Sequence, residues 1–428
     1  MGVPVTVHRV AGGATEVDVA AARLFGEFLR RTHLCPASEV AAITAEEAAV
    51  VGWKELVLYL LDYEQEFLRP VPSVHAADRA PLGVESTVAG RAFTSATVLA
   101  TDAPGDGHRR VWVPLIDGTD KIGVLEMLVP SPGGGVPPGT VLLAERFAHL
   151  VAQMMISKGA YGDVFEYVRR TRPMTVASEL QWNLLPPTTF ATSDVVVSAM
   201  LEPSYDNGGD CFDYAVNGST AHFVVFDAMG HGLDSAGVAA VALAAYRRAR
   251  RTLADLRDTY RAVDAAVLGR FDGERFATGL LAELDCETGE LRWVSAGHPP
   301  PLLLRRGKLV KALDVEPAVP VGVPFGDGRV VVGHEGLEPG DRVLVYTDGL
   351  PEARQPDGTF FGLRRLAEFV ERGAAAGLPA PETLRRLRHD IVAHQRGKLT
   401  DDATALLLEW RLGAEEGLLP ETARGVRP

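Results

Sequence analysis

The spacing of apolar and polar positions changes character several times along the chain. Residues 18–31 place Val19, Leu24, Phe25, Phe28 and Leu29 at helical intervals, and residues 45–53 continue as helix. Residues 55–62 and 66–71 then read as strands. Residues 110–115 and 121–128 pair as a hairpin across an Asp117-Gly118 turn. Between them, residues 86–93 predict a short helix with Ser86 as cap and Val88, Ala89 and Phe93 on one face. Helices over such strands make an α+β layer, with room for a ligand between sheet and loops.

Residues 131–139 are rich in proline and glycine and interrupt regular structure. Helical spacing returns from Val141 to about Leu185, broken around Arg172-Pro173. This stretch reads either as a lever and dimer seam or as a rigid spacer packed on one domain. Beyond Thr192 the chain turns strand-rich, at 195–201, 222–226, 278–284, 291–296, 302–305, 330–333, 342–347 and 405–410. Helical stretches interrupt it at 235–256, continuing through 260–268, and at 363–371 with 381–394. Antiparallel strands with helices in blocks predict a layered sandwich rather than βαβ alternation. The polar, Gly/Pro-punctuated tail after Leu412 is expected to fray.

Four acidic clusters lie beside glycine or at strand ends. They are 207–213 (Asn207-Gly208-Gly209-Asp210-Cys211-Phe212-Asp213), 227–232 (Asp227-Ala228-Met229-Gly230-His231-Gly232), 347–349 (Thr347-Asp348-Gly349) and 400–404 (Thr400-Asp401-Asp402-Ala403-Thr404). Glycine lets backbone approach closely while a neighbouring carboxylate projects forward. Two charges about 4 Å apart repel by about 4 kcal/mol at an effective dielectric near 20, and divalent cations turn that repulsion into binding. Oxygen ligands without cysteine or histidine partners favour Mg²⁺ or Mn²⁺ over Zn²⁺. Any one Asp-Gly pair alone reads as a turn; the set in this order is what points to a metal centre.

Composition narrows the classes. Hydrophobic residues make up 46% and charged residues 23% of the 428, an ordinary globular balance long enough for two or three domains. The net charge of −13 disfavours general binding to nucleic acid or to a membrane surface, and requires local positive charge for any phosphorylated substrate. Cys35, Cys211 and Cys286 show no paired spacing, so neither a disulfide scaffold nor structural zinc is expected, and a reducing compartment fits. Residues 1–10 lack the pattern of a signal peptide, and apolar runs such as 236–245 are too short to span a membrane. A cytoplasmic protein is expected.

Two resemblances sharpen this. The run Val88-Ala89-Gly90-Arg91-Ala92-Phe93, with Val111-Trp112-Val113-Pro114-Leu115 and Ile122-Gly123-Val124-Leu125, is similar to GAF sensor domains. That likeness implies a sensor at 16–156 with an antiparallel sheet, helices and a small-molecule ligand. The acidic set, with Leu180-Gln181, Leu184-Leu185-Pro186, Thr278-Gly279 and Ser295-Ala296-Gly297-His298-Pro299, resembles PPM-type (protein phosphatase 2C-like) serine/threonine phosphatases. The closer likeness is to the bacterial branch typified by the sporulation phosphatase SpoIIE. It implies an α/β/β/α sandwich of two antiparallel sheets flanked by helices at 187–412, joined to the sensor by a helical linker at 157–186 and followed by a flexible tail at 413–428.

The resemblance also implies roles. Asp227 bridges two Mn²⁺ or Mg²⁺ ions, the Ala228 carbonyl helps to hold one, and Asp210 and Asp348 ligate on either side. In the last cluster Asp401 matches the ligand position better than Asp402, which orients it, with the two close enough to exchange roles, and Asp213 supports a metal-bound water. Such a centre hydrolyses phosphoserine or phosphothreonine by attack of activated water. His231 and His298 are candidate acids for the leaving group, although His298 also suits a turn-fixing role. Cys211 lacks the phosphate-cradling loop of cysteine phosphatases. Relatives act on anti-sigma-factor antagonists, so a phosphorylated protein of that kind and a homodimer are the expected partners. The competing readings are a ligand-sensing scaffold without activity and a metal-dependent nuclease or nucleotide hydrolase; the net charge of −13 and the missing basic stripe count against the nuclease.

Overall fold

The computed structural model describes residues 16–103, 107–131, 134–206, 208–325, 328–396, 399, 401–410 and 413–420. Asn207, Thr400, the first fifteen residues and the end of the predicted tail lie outside them. The described chain forms two compact units: one up to Arg169, without Tyr63–Gln65 and Gly118–Lys121, and one of those two segments with Arg170 onward.

The first unit begins with helices α1 (Glu16–Thr32) and α2 (Val40–Val50), the latter starting earlier than the spacing predicts. Strands β1 (Lys54–Leu61), β2 (Phe67–Pro70) and β3 (Leu82–Gly83) follow, then α3 (Val88–Ser95), β4 (Leu99–Asp102), β5 (His108–Asp117) and β6 (Asp120–Pro130). The cap of α3 is Thr87 rather than Ser86, its hydroxyl accepting from the Gly90 N–H at 3.1 Å. The sheet order is β3-β2-β1-β6-β5-β4. Its central strands are buried on both faces, which is why they read as near-continuous apolar runs. Leu58, Leu60, Val113 and Met127 meet Phe28 and Phe147 on one side; Tyr59, Trp112 and Val124 meet Ala89 and Phe93 on the other. A Cβ at Gly123 would lie 1.9 Å from the Tyr59 carbonyl oxygen, so only glycine permits this β1–β6 approach. Helix α4 (Pro138–Gly159) and the short α5 (Val164–Arg169) complete the unit.

The second unit opens with α6 (Val176–Leu184) and β7 (Thr189–Ala191). Residues 157–186 are therefore the end of α4 and two short helices, with a gap between them that spans Arg172-Pro173. Next come β8 (Val195–Glu202), β9 (Asp210–Asn217), β10 (Thr220–Ala228), α7 (Leu233–Arg251), α8 (Leu256–Phe271), β11 (Ala277–Asp285) and β12 (Glu290–Ala296). The remainder is β13 (Leu302–Arg305), β14 (Lys308–Ala312), β15 (Gly333–Gly336), β16 (Asp341–Tyr346), α9 (Leu363–Ala375), α10 (Ala380–His394) and β17 (Ala403–Trp410). The strand expected at 330–333 sits later, as β15.

These strands make two antiparallel sheets, β15-β12-β11-β10-β9 and β14-β13-β16-β17-β8-β7. Phe212, Phe223, Val225, Leu280 and Trp293 of the first face Val197, Val343, Val345, Leu406 and Leu408 of the second across one apolar layer. The alternate residues Val224, Phe226 and Leu281 pack under α7 and α8, while Met200, Leu344 and Leu407 pack under α9 and α10. The result is a helix–sheet–sheet–helix stack. Among the described residues, no helix is long and apolar enough to cross a membrane.

Candidate active site

Each acidic cluster closes or opens a strand, and the antiparallel registers bring all four to one end of the stack. Asp227, near the end of β10, pairs with Asp210 at the start of β9 and with Thr278 on β11. On the other sheet, Asp348 follows β16 and Asp401-Asp402 precede β17, with the Thr347 N–H donating to the Thr404 carbonyl at 3.0 Å.

Two polar stitches join the sheets there. The Thr347 hydroxyl donates to Asp210 Oδ2 at 2.7 Å and accepts from the Thr404 N–H at 2.9 Å. Asp402 Oδ2 accepts three successive backbone N–H groups, from Gly208 at 3.1 Å, Gly209 at 2.6 Å and Asp210 at 3.3 Å. Such a concave run of N–H groups is a ready anion seat, here filled from within the chain. Glycine is required: a Cβ on Gly208 would lie 2.3 Å from the Gly232 nitrogen, and one on Gly349 would lie 1.9 Å from the Asp402 carbonyl oxygen. Gln181 adds a further tie, donating from Nε2 to the Asp210 carbonyl at 2.7 Å.

The carboxylates feel one another. Burial raises Asp210 well above the usual carboxylate range, and Asp227 and Asp402 push it further, against the Thr347 hydrogen bond. Burial together with Asp348, Asp401 and Asp402 lifts Asp227 to about 7. Asp348 is raised by burial, Asp401 and Glu352. Asp402 is raised by burial while its three N–H donors oppose the shift. Charge of one sign is thus concentrated around the strand ends, where two aspartates are exposed (Asp348, Asp401) and one is almost fully buried (Asp210).

This donor set suits hard divalent cations. It is made of carboxylate oxygens, with the Ala228 carbonyl oxygen 2.8 Å from where a Gly209 Cβ would stand. Among the described residues, no three acidic, histidine or cysteine side chains converge on a single point as they stand. The fit therefore rests on donor chemistry and on the mutual repulsion that a cation would relieve.

The other predicted residues take different places. Asp213 lies on the opposite face of β9 from Asp210, because side chains three apart on a strand point to opposite faces. It is clamped there by Arg247 at 2.7 Å and Arg250 at 2.9 Å, both from α7. These surroundings assign it to tying α7 to the sheet rather than to holding a water at the acidic end. Replacing Asp213 by Ala strands two partly buried guanidinium groups. A loss of about 3–5 kcal/mol is expected, to be read from denaturant unfolding; a loss below about 1 kcal/mol would remove this role.

His298 is 6% exposed, with Nδ1 3.1 Å from the Thr278 hydroxyl and its backbone N–H donating to Ser295 Oγ at 3.2 Å. Burial lowers its pKa to about 4. It is a neutral imidazole at physiological pH, bonded into its own turn, and a poor acid for a leaving group. His231 is exposed between Gly230 and Gly232, which have φ of +91° and +78°. Cys211 is buried against α7, and burial raises its thiol, consistent with packing.

Three supporting residues escape a reading by spacing. Arg247 and Arg250 sit in a basic run whose partner lies on a distant strand. Thr347 is visible only as the neighbour of Asp348.

Residues 217–411 match the family model described as Stage II sporulation protein E (SpoIIE), a span that contains Asp227, Asp348, Asp401 and Asp402. The matched span lies wholly within the second unit and covers less than half of the chain. Protein IcfG of Synechocystis sp. is 27% identical over 141 residues, which are 33% of this chain and 21% of that protein. The chain thus spans about a fifth of the length of this curated relative. Similar solved structures include the RsbU and RsbW domains of Rv1364c from Mycobacterium tuberculosis (29% identity, 51% of this chain and 62% of that one, TM-score 0.43). Another is the SiaA-PP2C domain of Pseudomonas aeruginosa (22% identity, 55% and 94%, TM-score 0.46).

Proposed function

We propose that the chain is a metal-dependent protein serine/threonine phosphatase. The observation that carries this reading is the cross-sheet set Asp210, Asp227, Asp348, Asp401 and Asp402, in which burial and neighbouring carboxylates raise Asp227 to about 7. Asp227 and Asp210 hold one side of the centre and Asp348 with Asp401 the other. Asp402 spends one oxygen on the 208–210 backbone and so acts chiefly by positioning. Two Mn²⁺ or Mg²⁺ ions held there supply Lewis acidity and a water activated near neutral pH. The chain's own part is to fix the carboxylates, keep His298 neutral, and seat the loops through glycine.

The likeness to the SpoIIE branch favours phosphoserine or phosphothreonine on an anti-sigma-factor antagonist as substrate. The first unit is proposed as a GAF-like sensor that regulates the second through a small ligand, in a cytoplasmic homodimer. Hydrolysis of p-nitrophenyl phosphate and a phosphoserine peptide by the full chain with Mn²⁺ tests the activity. Silence on both favours a signalling scaffold instead.

A second measurement needs no turnover. Asp227 has its folded pKa raised above the ordinary value of 3.8. The metal-free fold therefore keeps this contribution below about pH 4 and loses it as pH rises through about 7. Mn²⁺ is expected to raise the melting temperature several-fold more at about pH 8 than at about pH 5. An equal shift at both would separate metal binding from these carboxylates.

A further inference from the structure

The side chains gathered at the acidic site are carboxylates, and a phosphomonoester brings more negative charge. We infer that Arg275 takes the phosphoryl group, its guanidinium leaving Asp234 to grip the non-bridging oxygens of the substrate's phosphate. This assignment rests on the hydrolytic reading above.

Arg275 stands just ahead of β11, where Ala277 pairs with Ala228 and the Phe276 carbonyl accepts the Met229 N–H at 3.0 Å. Its backbone is thereby fixed beside the 227–232 loop. It is also confined from behind, since a Cβ on Gly322 would lie 2.7 Å from the Arg275 carbonyl oxygen. A Cβ on Gly230 would lie 3.6 Å from Arg275 Nη1. A Cβ on Gly209 would in turn lie 3.5 Å from the Gly230 carbonyl oxygen and 3.4 Å from Asp402 Oδ2. Two glycine backbones, with no side chain to screen charge, form the path from the guanidinium to the acidic end.

The present partner of Arg275 is easily exchanged. Asp234, in the first turn of α7, meets it at 2.7 Å, but the two side chains are 35% and 74% exposed. An ion pair that open to water contributes little. A guanidinium on phosphate makes a bidentate, charge-assisted contact, which is stronger. Arg247 and Arg250 cannot serve, being committed to the buried Asp213 on the helix face.

The test uses the full chain with Mn²⁺, p-nitrophenyl phosphate and a phosphoserine peptide. Arg275→Ala is expected to raise KM at least about tenfold with kcat within about threefold, and Arg275→Lys to recover part of the loss. Asp234→Ala, which frees the guanidinium, is expected to lower KM about twofold. Inorganic phosphate should raise the melting temperature of the Mn²⁺-loaded wild type and not of Arg275→Ala. An Arg275→Ala KM within about twofold of wild type overturns the assignment. So does an Asp234→Ala variant whose KM rises as far as that of Arg275→Ala, because the ion pair itself would then matter. A wild type inactive on both substrates removes the catalytic reading, and this assignment with it.

Discussion

Asp227→Asn should lower metal-dependent phosphate hydrolysis by at least about 10²–10³-fold, the scale for removing a charge-stabilising group, while the fold stays intact. Asp227 pairs across the sheet with Asp210 and takes electrostatic pressure from Asp348, Asp401 and Asp402. It thus stands between the two halves of the set. Asparagine keeps the shape and one oxygen but not the charge. The same exchange relieves repulsion in the metal-free protein. Wild type loses stability as pH rises from about 4 to about 7, and the asparagine variant loses less over that window. Assays with Mn²⁺ and metal-free melts at about pH 5 and about pH 8 read both effects. Activity within about tenfold of wild type would dismiss Asp227 from the centre.

The second large effect is expected at Asp402. Its removal leaves the N–H groups of Gly208, Gly209 and Asp210 without their acceptor. Each unpaired donor costs about 1–3 kcal/mol when shielded from water. Partial exposure of the loop keeps the sum for Asp402→Ala near about 3 kcal/mol, or roughly 6–12 °C of melting temperature. Activity falls with it, because Asp210 sits on the same run of backbone. Asp402→Asn, which keeps an acceptor, recovers much of the stability. Asp401 is exposed, its Oδ1 accepting the Asp402 N–H at 2.9 Å, so Asp401→Ala loses activity with the melting temperature nearly unchanged. The opposite pattern would reverse the two roles.

The acidic ends of β10 and β16 were legible because each follows an unbroken apolar run, and an aspartate with a glycine one to three positions on marks where such a run stops. Strand β9 was not. Its two aspartates are poor strand formers and mask the alternation of Phe212, Tyr214 and Val216 that packs on the layer between the sheets, and those aspartates find their partners far away. Asp402 and Thr347 serve Asp210, and Arg247 and Arg250 serve Asp213. The choice between Asp401 and Asp402 was equally closed to spacing, since it depends on three N–H groups almost two hundred positions away. In the first unit the β5–β6 hairpin announced itself through Asp117-Gly118. The β1–β6 pairing depends on Gly123 lying against Tyr59, a contact between distant segments.

The acidic set is divided between two sheets, with Asp210 and Asp227 on one and Asp348, Asp401 and Asp402 on the other. Packed sheets stand about 10 Å apart, a distance fixed by the side chains between them. Phe212, Phe223, Trp293 and their facing valines and leucines therefore act as a spacer block whose thickness sets the gauge of the acidic site. A methylene gained or lost in that layer shifts one rank of carboxylates against the other, and the tolerance of the chemistry is inherited from the carpentry of the core.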